Sequence, residues 1–135
     1  MAINNWVMKK FYIFLFVSLM VSLTISAKKD GDAVYLFGVS YSYSDSIVYF
    51  TEIQPVDGIK LQKRSKLLPD RQHYAYELKD YMNFKEGKPD RISMIYFSKK
   101  RSKLEKVEAK VKKQILHKEE KMVLYLGDKF RFTLP

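Results

Sequence analysis

The sequence predicts a single α+β domain: a mixed sheet of four or five strands in the order β-β-α-β-α-β, with two helices packed on one face. Three observations point there. Residues 33–53 hold two stretches with strand character, AVYLFGVSYSY and IVYFTEI, joined by a short polar turn. Two later segments repeat apolar residues at helical spacing. Each of these is followed or preceded by a short, dense apolar run of strand length, ISMIYF and MVLYL.

The elements follow in order. In the first strand Tyr35, Phe37, Val39, Tyr41 and Tyr43 share one face, while Val34 and Leu36 start the other face and give way to Gly38, Ser40 and Ser42. That pattern predicts burial on both faces at the start and on one face later. Ser44, Asp45 and Ser46 supply turn chemistry, and β-branched and aromatic residues make Ile47–Ile53 a second, antiparallel strand. Pro55, Asp57 and Gly58 end it. Residues 59–69 fit either a loop with a turn of helix or a short edge strand. Asp70 stands where a cap belongs, and Tyr74, Leu78 and Tyr81, with Ala75 and Met82 beside them, follow helical spacing up to Gly87 and Pro89. Ile92–Phe97 is apolar on both sides and reads as a central strand. In the segment SKKRSKLEKVEAKVKKQILHKEEK, Ser102 and Glu105 form an S-x-x-E capping box, and Leu104, Val107, Val111 and Ile115 make one narrow stripe. Met122–Leu126 is a fourth strand, and KFRFTL after Gly127-Asp128 is a possible fifth. Strand–helix–strand units favour parallel pairing by right-handed crossover.

The N-terminus carries an address. From Met8 the chain reads MKKFYIFLFVSLMVSLTISAKK, with Lys9 and Lys10 before an apolar run and small residues at its end. This is the layout of a secretory signal peptide, with cleavage expected after Ala27 and Met8 as a candidate true start. Cleavage one residue earlier would use Thr24 and Ser26. The alternative is an inner-membrane anchor over residues 11–27, whose 17 residues lie at the short end of a bilayer span. Lys28 and Lys29 favour the anchor; Ser18, Ser22, Thr24 and Ser26 favour cleavage. The domain is then residues 28–135, periplasmic or secreted.

Charge is uneven. The whole chain is net +10; residues 28–59 are net −3 and residues 60–121 net +10. Lys99, Lys100, Arg101, Lys103, Lys106, Lys110 and Lys113 form a dense cationic face that suits an anionic partner without sequence readout. The same residues also suit the solvated side of a helix that covers a sheet. Lysine outnumbers arginine there, and arginine is the better bidentate phosphate reader. Tyr41 and Tyr43, beside serines near the turn, are candidate exposed aromatics for stacking.

Catalytic chemistry is sparse. The absence of cysteine excludes disulfides, thiolate metal sites and a cysteine nucleophile. His73 and His117 are the only histidines, at opposite ends of the two predicted helices, and no H-E-x-x-H, G-x-S-x-G or phosphate-loop motif occurs. No catalytic residue, metal ligand or cofactor site is therefore assigned; His73, beside Tyr74, is the one candidate for a small hydrolase.

The stretches FGVSYSYSDSIVYFTEIQ, YELKDYM and MIYFSKKRSKLEKVEAK resemble small exported proteins of Bacteroidota, across most of the predicted domain. The resemblance implies a Gram-negative envelope and no particular activity. The sequence thus leads to a small exported cell-envelope or secreted protein, a non-enzymatic binding or assembly module. Its partner is an envelope protein or an anionic polymer such as lipopolysaccharide or peptidoglycan. Export removes nucleic acid from reach, and only the N-terminal segment would meet a membrane.

Overall fold

A computed structural model describes residues 33–118 and 120–135. The predicted signal peptide lies outside the described residues, as do the first residues of the predicted domain. The fold is a five-stranded mixed sheet with two helices, a single α+β domain. Its elements are β1 (Val34–Tyr41), β2 (Ile47–Phe50), β3 (Gln54–Val56), α1 (Arg71–Phe84), β4 (Ile92–Ser98), α2 (Arg101–Lys118) and β5 (Met122–Tyr125). Among the described residues, no helix is long and apolar enough to cross a membrane.

β1 is the centre of the sheet. Along one edge it pairs antiparallel with β4 in unbroken register, from Tyr35↔Ser98 to Tyr41↔Ile92. Along its other edge lie β2 and then β3, both antiparallel. The register slips by one residue between them, from Val39↔Phe50 to Leu36↔Gln54. β2 and β3 are therefore one strand interrupted by a bulge. At the interruption Thr51 N–H donates to Gly38 O (2.9 Å), and Gly38 N–H donates to the Thr51 hydroxyl (2.8 Å) in place of a backbone carbonyl. β5 adds to β2 in parallel. The expected order thus holds once β2 and β3 count as one interrupted strand. The parallel partner is not the one expected: β4 and β5 stand on opposite edges of the sheet, and β5 pairs with β2. β4, read as central from its apolar composition, is an edge strand.

The expectation of two helices on one face is corrected. Alternation along β1 sorts the core into two clusters. Val34 and Leu36 pack with Tyr74, Leu78 and Met82 of α1, whereas Tyr35, Phe37 and Val39 pack with Leu104 of α2. The helices therefore cover opposite faces, and β1 is buried throughout because it separates two layers. Gly38 allows α1 its close approach: a Cβ there would stand 2.6 Å from Leu78 Cδ2.

The last segment is also corrected. KFRFTL does not join the sheet. After a 3₁₀ turn at Gly127–Lys129 it runs extended on the α1 side, with Phe130 and Phe132 buried among Tyr74, Tyr81 and their neighbours. The buried side chain of Gln54 takes the place of a strand. Its Nε2 donates to Phe130 O (3.0 Å), and its Oε1 accepts from Phe132 N–H (2.9 Å).

Helix ends differ in detail from the expected caps. Asp70 precedes α1 in a left-handed conformation, and its carbonyl, not its side chain, accepts from His73 N–H (2.9 Å). Gly87 (φ +63°) turns the chain after α1, so that Lys88 N–H reaches Met82 O (2.7 Å). α2 begins at Arg101, which places Ser102 inside the first turn; the carbonyl of Lys100 before it accepts from Leu104 N–H (3.2 Å), and the Ser98 hydroxyl accepts from Lys100 N–H (3.1 Å).

Candidate binding surface

α2 meets the sheet through a narrow contact. Leu104 is its one buried residue, with Val111 and Ile115 partly buried along the same stripe. Such a stripe leaves open space beside the helix. Two concavities adjoin α2, one near each end of the helix.

The first lies at the N-terminal end of α2. It measures ≈ 750 Å³ and is floored by Leu61, Phe97 and Val107. Lys99, Lys100 and Lys103 rim it on one side, and Lys63 and Lys66 rim it on the other. The second pair belongs to residues 59–69, which form a tight turn. Lys66 N–H donates to Gln62 O (2.8 Å), Gln62 N–H donates to Leu67 O (3.1 Å), and Ser65 Oγ donates to Gln62 Oε1 (2.7 Å). Five lysines from two chain segments thus line one groove, and among the described residues no carboxylate lines it.

The second concavity, ≈ 220 Å³, lies under the C-terminal half of α2. Val48, Met94, Tyr96, Val111 and Ile115 form its apolar wall, and Tyr41 and Tyr43 stand at its mouth. Their rings meet edge to face at 5.8 Å, and Tyr43 is 82% exposed. Lys121 lies over the Tyr41 ring at 5.7 Å and donates to Ser42 O (3.2 Å). Burial raises the Tyr96 hydroxyl above the usual tyrosine range.

The other predicted cations are placed elsewhere. Arg101 pairs with Glu105 at 3.4 Å. Lys106 and Lys110 are exposed on α2 outside the lysine groove. Lys113 lines a shallow hollow with Lys112, Leu116 and His117. Lys112 sits over the Tyr125 ring at 5.1 Å, whose hydroxyl meets Glu108 at 3.3 Å.

His73 has a structural setting. Its Nε2 lies 2.8 Å from Thr133 O and 3.7 Å from Glu77 Oε2, and Glu77 accepts from both the N–H (2.8 Å) and the hydroxyl of Thr133. Both side chains are engaged in fastening the C-terminal segment to α1. His73 lines none of the concavities described here. Among the described residues, no group of three or more histidines and carboxylates has the geometry to hold a metal.

Two features had little or no sequence signal. Lys63 and Lys66 lie in the segment 59–69, which read equally as a loop with a turn of helix or as a short edge strand. Arg91 is the other. It is 5% exposed and donates to Ser40 Oγ (3.0 Å), Ser40 O (3.1 Å), Ile47 O (2.6 Å) and Asp45 Oδ2 (2.9 Å), with its guanidinium 5.0 Å from the Tyr49 ring. Asp45 is held below the usual carboxylate range by the Ile47 N–H it accepts, with the Arg91 charge adding to the effect. This pair fastens the hairpin turn and faces away from both concavities.

Compared with protein-family models, curated proteins and solved structures, the chain matches none.

Proposed function

We propose that this protein is a small exported, non-enzymatic binding or assembly module of a Gram-negative envelope, and that it holds an anionic partner in the lysine groove. One observation carries the reading. Lys63, Lys66, Lys99, Lys100 and Lys103 converge on a single concavity from two separate segments, with no acidic residue among the described residues that line it. Like charges gathered this way repel one another, and a bound anion relieves that repulsion. The Met8–Ala27 segment supports export and so favours acidic envelope polymers and proteins over nucleic acid.

The test separates the groove from net charge. The chain from Lys28 is applied to immobilised heparin and eluted with salt, beside two triple variants that remove equal charge. Lys63/Lys99/Lys103→Gln is expected to elute at clearly lower salt and with a shallower salt dependence, roughly one unit of slope per lost contact. Lys106/Lys110/Lys113→Gln is expected to elute close to the parent. Equal shifts in the two variants would reduce the groove to a share of the overall charge and sink the proposal.

A further inference from the structure

β4 is an edge strand without the usual protection. Among the described residues it pairs only with β1, and its seven residues, ISMIYFS, include no charge, no proline and no bulge. Edge strands of soluble proteins are ordinarily shortened, charged or bulged, because their free backbone groups recruit another strand. The pairing pattern shows which groups are free. Gly38 directs its N–H and C=O toward Thr51, away from β4, so its partner Ile95 directs its own away from β1. By alternation Ser93, Ile95 and Phe97 present their backbone N–H and C=O groups outward. Among the described residues one of these six groups has a partner: Ile95 O accepts from the guanidinium of Arg71, which leans over the Phe97 ring at 5.9 Å.

Room exists beside that edge. A concavity of ≈ 340 Å³ runs along Ser93 to Tyr96 and is closed on its far side by Arg71, Gln72 and Ala75 of α1. The Ser93 hydroxyl lines it and is buried without a hydrogen-bond partner. On the other face Met94 and Tyr96 border the tyrosine cavity. A strand laid on β4 would therefore send alternate side chains into hollows on both sides, the arrangement by which sheet edges recognise extended peptides.

We infer that the free edge of β4 receives an extended, acidic segment of a partner polypeptide as a sixth strand. Charge decides the occupant. Arg71 lies at the centre of the edge, Lys99 and Lys100 follow its C-terminal end, and Lys118 and Lys121 rim the adjoining cavity. A second copy of this chain, paired antiparallel about Ile95, would bring two Arg71 guanidinium groups together at the axis. A strand carrying carboxylates meets compensating charge instead. The inference rests on the anionic-partner reading for the sign of the ligand's charge, but places it on a different surface, with backbone pairing as the source of affinity.

The experiment uses an acetylated nonapeptide alternating valine or threonine with glutamate, and a control with lysine for glutamate. Amide hydrogen exchange of the chain from Lys28 is followed by NMR. With the acidic peptide at saturation, exchange at Ser93, Ile95 and Phe97 is expected to slow about tenfold or more, the protection of one added hydrogen bond per amide. The inward amides of Met94 and Tyr96 are expected to stay unchanged, and the basic peptide to have no effect. Ser93→Pro removes one outward N–H and no bond to β1, so it is expected to weaken the peptide about tenfold while leaving heparin elution unchanged. Three results overturn the inference: no peptide binding, shifts confined to the lysines without protection of the three amides, or protection that rises with protein concentration in the absence of peptide. The last would identify self-pairing. None of them bears on the heparin result, so the two proposals fail separately.

Discussion

The two faces of the sheet are built to different standards. α1 buries Tyr74, Leu78 and Met82 in 14 residues, and its face is closed further by Phe130, Phe132 and Leu126. α2 has 18 residues and buries only Leu104. The α1 face is stitched by side-chain hydrogen bonds from Gln54, His73 and Glu77 to the C-terminal segment. The α2 face is bordered by lysine and tyrosine and holds the tyrosine cavity, while the lysine groove opens between Val107 of α2 and the Leu61 and Phe97 side chains. The difference teaches where stability and binding are separately invested. Substitutions in the α1-side core are expected to act on folding, and substitutions along the lysine rim of α2 and the β4 edge on binding.

The largest test is Leu78→Ala. Leu78 is fully buried against the Gly38 backbone, and the truncation is expected to cost about 3–5 kcal/mol, measured by urea unfolding. Arg91→Met follows at about 3 kcal/mol, since it strands two carbonyls and the Ser40 hydroxyl and leaves Asp45 without its cation. The same site predicts a pH dependence. The folded-state pKa of Asp45 is depressed, so its contribution is present above about pH 4, the unfolded carboxylate range, and is lost as pH falls through the depressed value. In Arg91→Met the acid limb should shrink but persist, because the Ile47 N–H remains.

Gln54→Leu is expected to cost about 2 kcal/mol by leaving Phe130 O and Phe132 N–H buried without partners. Amide exchange should show residues 130–133 opening first. The smallest effects belong to the other face. Ile115→Ala should cost about 1 kcal/mol, because its side chain is only partly withdrawn from water. The lysine triple variants should stay within about 0.5 kcal/mol of the parent. A large loss of stability from either would break the contrast between the faces.

Part of this contrast was legible. VYLF at the start of β1 read as buried on both faces, yet both helices were expected on one face. The α2 stripe read as sheet cover, although its Val107 is exposed. What remained illegible has specific causes. Pro55 reads as a terminator, yet it sits in β3 opposite Tyr35, where no N–H is needed for the ladder. KFRFTL alternates because Phe130 and Phe132 are buried, and alternation reports burial, not pairing. ISMIYF reads as central because both its sides are apolar, yet it lies at the edge with hollows beside it. The lysine groove joins residues 63 and 66 to residues 99–103, a juxtaposition made only by the crossover of the chain.

The clamp of Gln54 on residues 130 and 132 also bears on the order in which the molecule is made. During synthesis Gln54 waits 76 residues for Phe130 to be made, and until then the α1 face lacks Phe130 and Phe132. The central strand and its helix are then present but incompletely covered, so closure of that layer is a late event. The lock on that layer is supplied by residues made long after the strand and helix they cover.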